Sequence, residues 1–175
     1  MREPIGKRAK LTDVIQVVGY KNSGKTTLVE HLVRTLTAAG LAVGTVKHDA
    51  HRFDVDREGT DTFRHREAGA CMTAITSDCR TAFMEERPVP LEEIVRRMTD
   101  MDAVVVEGFK QDNYAKIVML RTQEDEELLH RLTNVRAVVS WFPGAGGGGE
   151  LPVFPLADAD GLAKWVQANL LAQKP

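Results

Sequence analysis

Short apolar runs rich in β-branched residues alternate along most of this chain with segments whose apolar positions recur at helical spacing. The apolar runs predict buried strands at residues 14–18, 41–46, 103–106, 116–120, 135–141 and 152–154. The periodic segments predict helices at residues 27–39, 90–98, 124–132 and 158–171. Continuous apolar strands that alternate with helices are typical of a mostly parallel sheet covered on both faces. The pattern therefore predicts an α/β fold of three layers.

The middle of the chain departs from this pattern. Residues 47–60 are polar and charged, and they precede a short predicted helix at residues 60–68. Two further strands are predicted at residues 70–76 and 80–85, joined by residues with turn chemistry, so we expect a small antiparallel hairpin extension. The length of 175 residues fits a single domain. Within it, residues 1–10 are expected to form a flexible lead-in and residues 143–150 a glycine-rich loop.

The segment from Gly19 to Thr26 matches the phosphate-binding loop pattern G-x-x-x-x-G-K-[ST] at every fixed position. It lies between the first predicted strand and the first predicted helix, which is the context that such a loop requires. Glycines let the backbone N–H groups turn toward phosphate oxygens, and the positive end of the helix adds to their attraction. Lys25 is predicted to reach the β- and γ-phosphates, and the Thr26 hydroxyl to bind Mg²⁺. We therefore expect a nucleoside triphosphate, with a glycine-rich turn that binds nothing as the alternative.

Further candidates follow the predicted strands, because ligands of parallel sheets bind beyond the carboxyl ends of the strands. Glu107 ends a buried strand and is predicted to hold Mg²⁺ or its waters, with a solvated carboxylate as the alternative. Lys110 is expected near the same face. In the segment Lys47–Asp49, Asp49 is the first candidate to face the Mg²⁺, an attacking water or a second substrate. Asp61 comes next, with capping of a helix N-terminus as its alternative.

Three other groups of side chains give weaker indications. His48 and His51 have the spacing of metal ligands, but neither a helix nor cysteines support a transition-metal site there. The basic residues 64–66 are able to bind a second anion or to form a solvated helix face. Trp141 and Phe142 are able to stack on a base or to be buried at the edge of the sheet.

The composition narrows the classes of partner. The chain has 23 Lys and Arg against 25 Asp and Glu, a net charge of −2, which gives no indication of nucleic-acid binding or of anionic membranes. Its two cysteines are too few for a disulfide framework or a cysteine-rich metal site. No segment approaches the roughly 20 apolar residues of a membrane span. We therefore expect a cytoplasmic protein without nucleic-acid or membrane partners.

The motifs also form an ordered array. It consists of residues 17–28 around the phosphate-binding loop, then 44–56, 59–64, 68–70, 104–110 and 116–118. In order and spacing this array closely resembles the molybdopterin-guanine dinucleotide biosynthesis protein B (MobB) family, and the resemblance covers most of residues 13–121. It implies a P-loop NTPase fold of the SIMIBI class, GTP and Mg²⁺ as ligands, weak GTPase activity and a homodimer. Members assist the joining of a GMP moiety to molybdopterin, as adapters for the guanylyltransferase MobA and possible further molybdenum cofactor proteins.

The resemblance also implies roles for individual residues. The phosphates would be bound by Gly19, Tyr20, Lys21, Asn22, Ser23, Gly24, Lys25, Thr26 and Thr27. Thr26 and Glu107 would serve Mg²⁺, while Lys47, His48 and Asp49 with Asp61 would line the same cleft. Catalytic roles are expected for Lys25, Asp49, Asp61 and Glu107.

Two family patterns of P-loop proteins are missing from this sequence. Some relatives in the wider class carry a signature lysine five positions before the P-loop lysine, where this chain has Tyr20, with Lys21 one residue later. A lysine that acts across a dimer from this position is therefore not supported. The Asn-Lys-x-Asp pattern that reads guanine in many GTPases is also absent, and Ser140-Trp141-Phe142 stands at the strand end where it would be expected.

Two other functions on the same fold stay open beside a GTP-binding adapter with slow Mg²⁺-dependent hydrolysis. A small-molecule kinase or transferase would bind its acceptor in the loop from His48 to Asp61 and would turn over rapidly when the acceptor is present. A metallochaperone GTPase, like those of nickel-enzyme maturation, would use His48 and His51 as metal ligands.

Overall fold

A computed structural model describes residues 12–49, 53–146 and 149–171 of the chain. These residues form two compact units. The core unit comprises Met1–His48 and Leu91–Pro175, and the hairpin unit comprises Asp49–Pro90. The predicted lead-in at residues 1–10 lies outside the described residues, and the single-domain organisation stays a prediction.

The order of strands and helices follows the alternation seen in the sequence. The strands are β1 Asp13–Gly19, β2 Val43–Lys47, β3 Met72–Thr76, β4 Thr81–Glu85, β5 Ala103–Glu107, β6 Ala115–Leu120, β7 Val135–Ser140 and β8 Val153–Pro155. The helices are α1 Lys25–Ala38, α2 Asp61–Glu67, α3 Leu91–Arg96, α4 Glu127–Arg131 and α5 Ala159–Asn169, with a 3₁₀ turn at Gln123–Glu126 before α4. None of the helices within the described ranges is both long enough and apolar enough to cross a lipid bilayer.

Six strands of the core unit form one parallel sheet in the order β2-β5-β1-β6-β7-β8. Helices α1 and α5 pack on one face against alternate strand residues such as Ile15 and Val17. On the other face, α4 packs around Val18 and Val118, and α3 packs around Val104. Strands that are buried on both faces need apolar residues at every position, which explains why they read as continuous runs. The predicted three-layer α/β fold is confirmed.

Several helix boundaries differ from the sequence-based predictions. Helix α1 begins at Lys25, two residues earlier than its apolar periodicity indicates, because the phosphate-binding loop itself closes the first turn. Helix α3 ends at Arg96, since the next two N–H groups bond three residues back, Arg97 to Ile94 and Met98 to Val95. The predicted cap of α5 is confirmed, because Asp158 Oδ1 accepts the Gly161 N–H at 3.0 Å.

The hairpin unit contains α2 and the two antiparallel strands β3 and β4, as predicted. Its ion-pair centre is Arg66, whose guanidinium donates to both oxygens of Asp54 at 2.8 and 2.9 Å and lies 3.2 Å from Glu86. This bidentate pair lowers the pKa of Asp54, with the hydrogen bonds from Arg66 as the largest cause. Polar contacts therefore hold together a unit with few buried apolar residues.

A buried polar side chain joins the centre of the sheet to the connection between β5 and β6. Gln16 in β1 is fully buried. Its Nε2 donates to the carbonyl oxygens of Phe109 at 2.7 Å and Gly108 at 3.3 Å, and its Oε1 accepts the Tyr114 N–H at 3.2 Å. Phe109 has a φ of +53°, a left-handed conformation that is costly for an aromatic residue. Gln16 thus holds a strained turn that directly follows Glu107.

We expect Gln16→Leu to lower the free energy of unfolding by on the order of 2–5 kcal/mol, because each buried backbone group left without a partner costs about 1–3 kcal/mol. Guanidinium denaturation measures this loss. The matched control is Gln123→Leu at an exposed position, which should change stability by less than about 0.5 kcal/mol. Equal stability of the two variants would contradict the role assigned to Gln16.

Candidate nucleotide-binding site

The loop between β1 and α1 needs glycine at two positions for different physical reasons. Gly24 has a φ of +92°, in the left-handed region that side chains rarely adopt, as predicted from the motif. Gly19 is required by lack of space, since a Cβ there would lie 2.9 Å from the Met119 carbonyl oxygen. Asn22 also has a positive φ, of +61°, which asparagine tolerates better than most residues. The loop is therefore shaped by its backbone before any ligand is considered.

Four of the predicted side chains come together at the carboxyl ends of β1, β2 and β5. Thr26 Oγ1 donates to the Glu107 carboxylate, 3.1 Å from each oxygen. Lys47 Nζ lies 3.9 Å from Glu107 Oε1, because the two residues are directly paired in the register of β2 and β5. Lys25 Nζ donates to the carbonyl oxygen of Tyr20 at 2.6 Å, within the loop. Two ammonium groups, one hydroxyl and one carboxylate thus share one site.

The electrostatics of this site favour an anion. The pKa of Lys25 is lowered, and burial is the largest cause. The Glu107 carboxylate raises this pKa, whereas the nearby Lys47 ammonium lowers it further. A polyanion beside these two ammonium groups would stabilise their charged forms. The Ser23 hydroxyl in the same loop is buried and has no hydrogen-bond partner among the described residues. These features fit a phosphate group held by the loop.

A cleft of about 660 Å³ opens beside the loop, within the size range of small-molecule sites. Its residues from the predicted nucleotide-binding set are Lys21, Asn22, Gly24, Lys25, Thr26, Thr27, Lys47 and Glu107. The rest of its lining is largely apolar and includes Leu28, His31, Trp141, Leu156 and Ala159. The cleft therefore has a charged end and an apolar end.

Two residues predicted to bind the nucleotide make other contacts. The Tyr20 hydroxyl donates to Glu127, which raises the pKa of Tyr20, and Lys110 Nζ lies 4.2 Å from the centroid of the Tyr20 ring. The His48 ring packs against Phe109 with the ring centroids 4.7 Å apart, and the backbone N–H of His48 donates to the Glu107 carbonyl oxygen at 2.9 Å. The side chains of Tyr20 and His48 are thus engaged in contacts within the protein, and their contact with a nucleotide stays a prediction.

Asp49 and Asp61 belong to the hairpin unit, and their predicted catalytic roles stay predictions. Asp61 is the first residue of α2, whereas the cap of that helix is Thr60, which accepts the Phe63 N–H at 3.4 Å. Capping by Asp61, the alternative raised from the sequence, is therefore wrong. The suggestion that Arg66 binds a second anion is also not supported, because its guanidinium already pairs with Asp54 and Glu86.

The predicted metal-ligand pair is only partly described. His51 lies outside the described residues, and the ring of His48 contacts Phe109. In the part of the chain that the structure covers, no three His, Cys, Asp or Glu side chains are placed to hold a metal ion.

Three side-chain contacts around the cleft could not be foreseen from the motifs of the sequence. The Trp141 indole N–H donates to the Ser23 carbonyl oxygen at 2.9 Å, and Arg121 donates to the Asn22 carbonyl oxygen at 3.2 Å. Arg121 follows the carboxyl end of β6, so the rule that located Glu107 would have found it too. Nε2 of His31 on α1 lies 3.0 Å from Oδ1 of Asp160. Helical periodicity does not predict such a pair, because the two residues lie on different helices.

Comparison with known proteins identifies the family. A family model described as molybdopterin guanine dinucleotide synthesis protein B (MobB) matches residues 14–141. The molybdopterin-guanine dinucleotide biosynthesis adapter protein of Haemophilus influenzae is 37% identical over 136 residues, which cover 74% of this chain and 75% of that protein. The Escherichia coli protein of the same name is 34% identical over 163 residues, which cover 87% of this chain and 90% of that protein.

The fold agrees with this similarity. The crystal structure of a MobB homologue from Bacillus stearothermophilus matches with a TM-score of 0.71 at 37% identity, over 90% of this chain and 97% of that chain. The region matched by the family model contains the loop from Gly19 to Thr26 and the carboxylate of Glu107. Since that match spans most of the chain and its relatives agree in sequence and fold, the chain belongs to the MobB family.

Proposed function

We propose that this protein is a GTP-binding adapter of molybdenum cofactor biosynthesis that assists the guanylyltransferase MobA in making molybdopterin-guanine dinucleotide. Membership of the MobB family supports the adapter role, because the relatives from Haemophilus influenzae and Escherichia coli are named adapter proteins. The contact of the Thr26 hydroxyl with the Glu107 carboxylate, beside the Lys25 ammonium, is the observation that carries the nucleotide-binding part. The cytoplasm as the site of action belongs to the same proposal.

The residues of the charged end fit a nucleoside triphosphate with Mg²⁺. Lys25 and Lys47 supply positive charge for the phosphates, and the N–H groups at the start of α1 add donors. Thr26 and Glu107 would hold the Mg²⁺ directly or through water, since this hard cation prefers oxygen ligands. When bound, the ion neutralises part of the charge on the phosphate oxygens. We propose slow GTP hydrolysis at most, with Asp49 and Asp61 as candidates to orient the water.

Calorimetric titration with GTP, ATP and GMP, each with and without Mg²⁺, tests the nucleotide part. We expect GTP with Mg²⁺ to bind most tightly, because the triphosphate meets both lysines and the ion. Absent binding of GTP, or equal binding of GTP and ATP, would contradict the proposal.

Reconstitution with a purified molybdopterin guanylyltransferase tests the adapter part. We expect the two proteins to co-purify and the rate of GMP attachment to rise. Rapid hydrolysis that depends on an added small-molecule acceptor would favour the kinase or transferase instead. Stoichiometric metal that is lost in His48→Ala with His51→Ala would favour the metallochaperone.

We propose further that the hairpin unit carries the homodimer interface. Five large apolar side chains of this unit are exposed in the single chain, namely Phe53, Val55, Met72, Ile75 and Phe83. Phe53 is 74% exposed and Phe83 is 69% exposed. Phe53, Val55 and Phe83 also line one groove, and exposed apolar residues that lie together mark interaction surfaces. The family resemblance implies that a second copy of the chain covers these residues.

We expect Phe83→Glu to convert the dimer into a monomer, because burying an unpaired carboxylate in an apolar interface is costly. Analytical ultracentrifugation measures the change in mass. The control Ala168→Glu adds the same charge at an exposed position of α5 and should leave the dimer intact. A monomeric wild-type protein, or a dimer that persists in Phe83→Glu, would contradict this interface.

A further inference from the structure

The apolar end of the cleft is not needed for binding phosphates, which is the function of the loop from Gly19 to Thr26. Its walls come from Leu28, Trp141, Leu156 and Ala159, and they continue directly from the charged end at Lys25. Phosphates gain nothing from apolar walls, whereas the flat base of a nucleotide gains from leaving water. The apolar end therefore suits the base of a nucleotide whose phosphates are bound at the charged end.

Trp141 at this end is held in one orientation although half of its surface is exposed. It follows β7, its backbone N–H donates to the Leu120 carbonyl oxygen at 3.0 Å, and its indole N–H donates to the Ser23 carbonyl oxygen at 2.9 Å. The Arg121 guanidinium lies 5.5 Å from the ring centroid. The indole remains 48% exposed and lines the cleft. An aromatic ring that is fixed before the ligand arrives loses little entropy on binding, which suits it to contact a base.

A carboxylate contacts one of the residues that line the cleft. His31 lines the cleft, and its Nε2 lies 3.0 Å from Asp160 Oδ1, which positions the Asp160 side chain at the start of α5. The Asp160 side chain is 80% exposed. An ionised carboxylate accepts hydrogen bonds and donates none. A carboxylate therefore accepts hydrogen bonds from the adjacent N1–H and 2-amino groups of guanine. Adenine is a poor match, because its N1 is an acceptor and has no hydrogen to donate.

We propose that the apolar end is the base subsite of the cleft, where Trp141 contacts a guanine base and Asp160 accepts hydrogen bonds from its N1–H and 2-amino groups. This inference rests on the proposed nucleotide-binding function and assigns its base specificity. The carboxylate that would distinguish guanine from adenine then lies on α5, next to His31 of α1. The chain lacks the Asn-Lys-x-Asp pattern that reads guanine in many GTPases.

Binding of GTP, inosine triphosphate, ATP and inorganic tripolyphosphate to the full chain tests the subsite, because tripolyphosphate reports on the phosphate end alone. We expect Trp141→Ala to weaken GTP binding on the order of tenfold, the effect of losing one aromatic contact with a base. Tripolyphosphate binding should change by less than about twofold if the loop keeps its shape. We expect Asp160→Asn to remove most of the preference for GTP over ATP and over inosine triphosphate. The control Asp78→Asn, in the exposed hairpin turn, should keep both preferences.

Fluorescence gives an independent measurement. The chain has two tryptophans, and Trp165 packs against Phe154 with ring centroids 6.0 Å apart. In a Trp165→Phe background, GTP should quench the emission of Trp141 and tripolyphosphate should not.

Three results would overturn the subsite while leaving nucleotide binding intact. They are equal loss of GTP and tripolyphosphate binding in Trp141→Ala, an unchanged preference for GTP in Asp160→Asn, and no quenching by bound GTP. Failure of the wild-type protein to bind either GTP or tripolyphosphate would instead overturn the proposed nucleotide-binding function.

Discussion

Lys25→Ala is expected to weaken GTP binding by about 10- to 150-fold, the equivalent of the roughly 1.5–3 kcal/mol of a hydrogen bond to a charged group. The Lys25 ammonium is partly buried, and burial lowers its pKa, so its positive charge is only partly compensated within the protein. It now donates to the Tyr20 carbonyl oxygen inside the loop. A phosphate oxygen is a stronger acceptor than a carbonyl, and its contact with Lys25 would be charge-assisted.

Calorimetry with GTP, and separately with tripolyphosphate, measures this effect. Both ligands should lose affinity by similar factors, because Lys25 acts on the phosphates and not on the base. The matched control is Lys164→Ala, which removes the same charge from an exposed position of α5. Unchanged affinity in Lys25→Ala would show that the phosphates do not lie against this loop.

The charged end of the cleft could be predicted from the sequence because local rules determine it. A continuous apolar strand has a recognisable end, and parallel neighbours bring such ends to the same edge of the sheet. Glu107 is paired with Val17 of β1 and with Lys47 of β2, so one register places all three together. The same logic could have found Arg121, which directly follows β6.

The apolar end could not be predicted in this way, because its contacts join distant elements through side chains. His31 lies in the middle of α1 and meets Asp160 on α5, and neither position differs from an ordinary polar helix residue in the sequence. Gln16 interrupts an apolar strand, which the sequence does show. Its three partners lie more than 90 residues away, so its role in holding the turn at Phe109 emerges only from the fold.

The hairpin unit shows a further limit. Its strands and helix were predicted, since alternating residues and turn chemistry are local features. Its basic residues 64–66 left an anion site and a solvated helix face open, and in the structure Arg66 instead pairs with Asp54 and Glu86, which precede and follow it in the chain. A list of charges in a sequence does not reveal which of them neutralise each other.

Glu107→Gln is expected to remove most of the Mg²⁺ dependence of GTP binding, with a loss of apparent Mg²⁺ affinity on the order of 10- to 100-fold, typical of residues that hold a metal or its bound ligands. The substitution keeps the size of the side chain and its ability to accept from Thr26, but it removes the negative charge. Without Mg²⁺ the effect should reverse. Loss of the carboxylate removes repulsion toward the phosphates and leaves Lys47 unpaired, so tripolyphosphate should bind at least as tightly as in the wild-type protein.

The opposite effects on binding with and without Mg²⁺ distinguish the two interpretations of Glu107 that the sequence left open, a metal-holding and a solvated carboxylate. A metal-holding carboxylate predicts weaker binding with Mg²⁺ and equal or tighter binding without it. A carboxylate that only stabilises the end of β5 predicts the same change under both conditions, through a lower stability of the site. Calorimetric titrations at several Mg²⁺ concentrations, with denaturation curves for both proteins, distinguish these outcomes. The control Glu30→Gln, at an exposed position of α1, should alter neither the Mg²⁺ dependence nor the binding of tripolyphosphate.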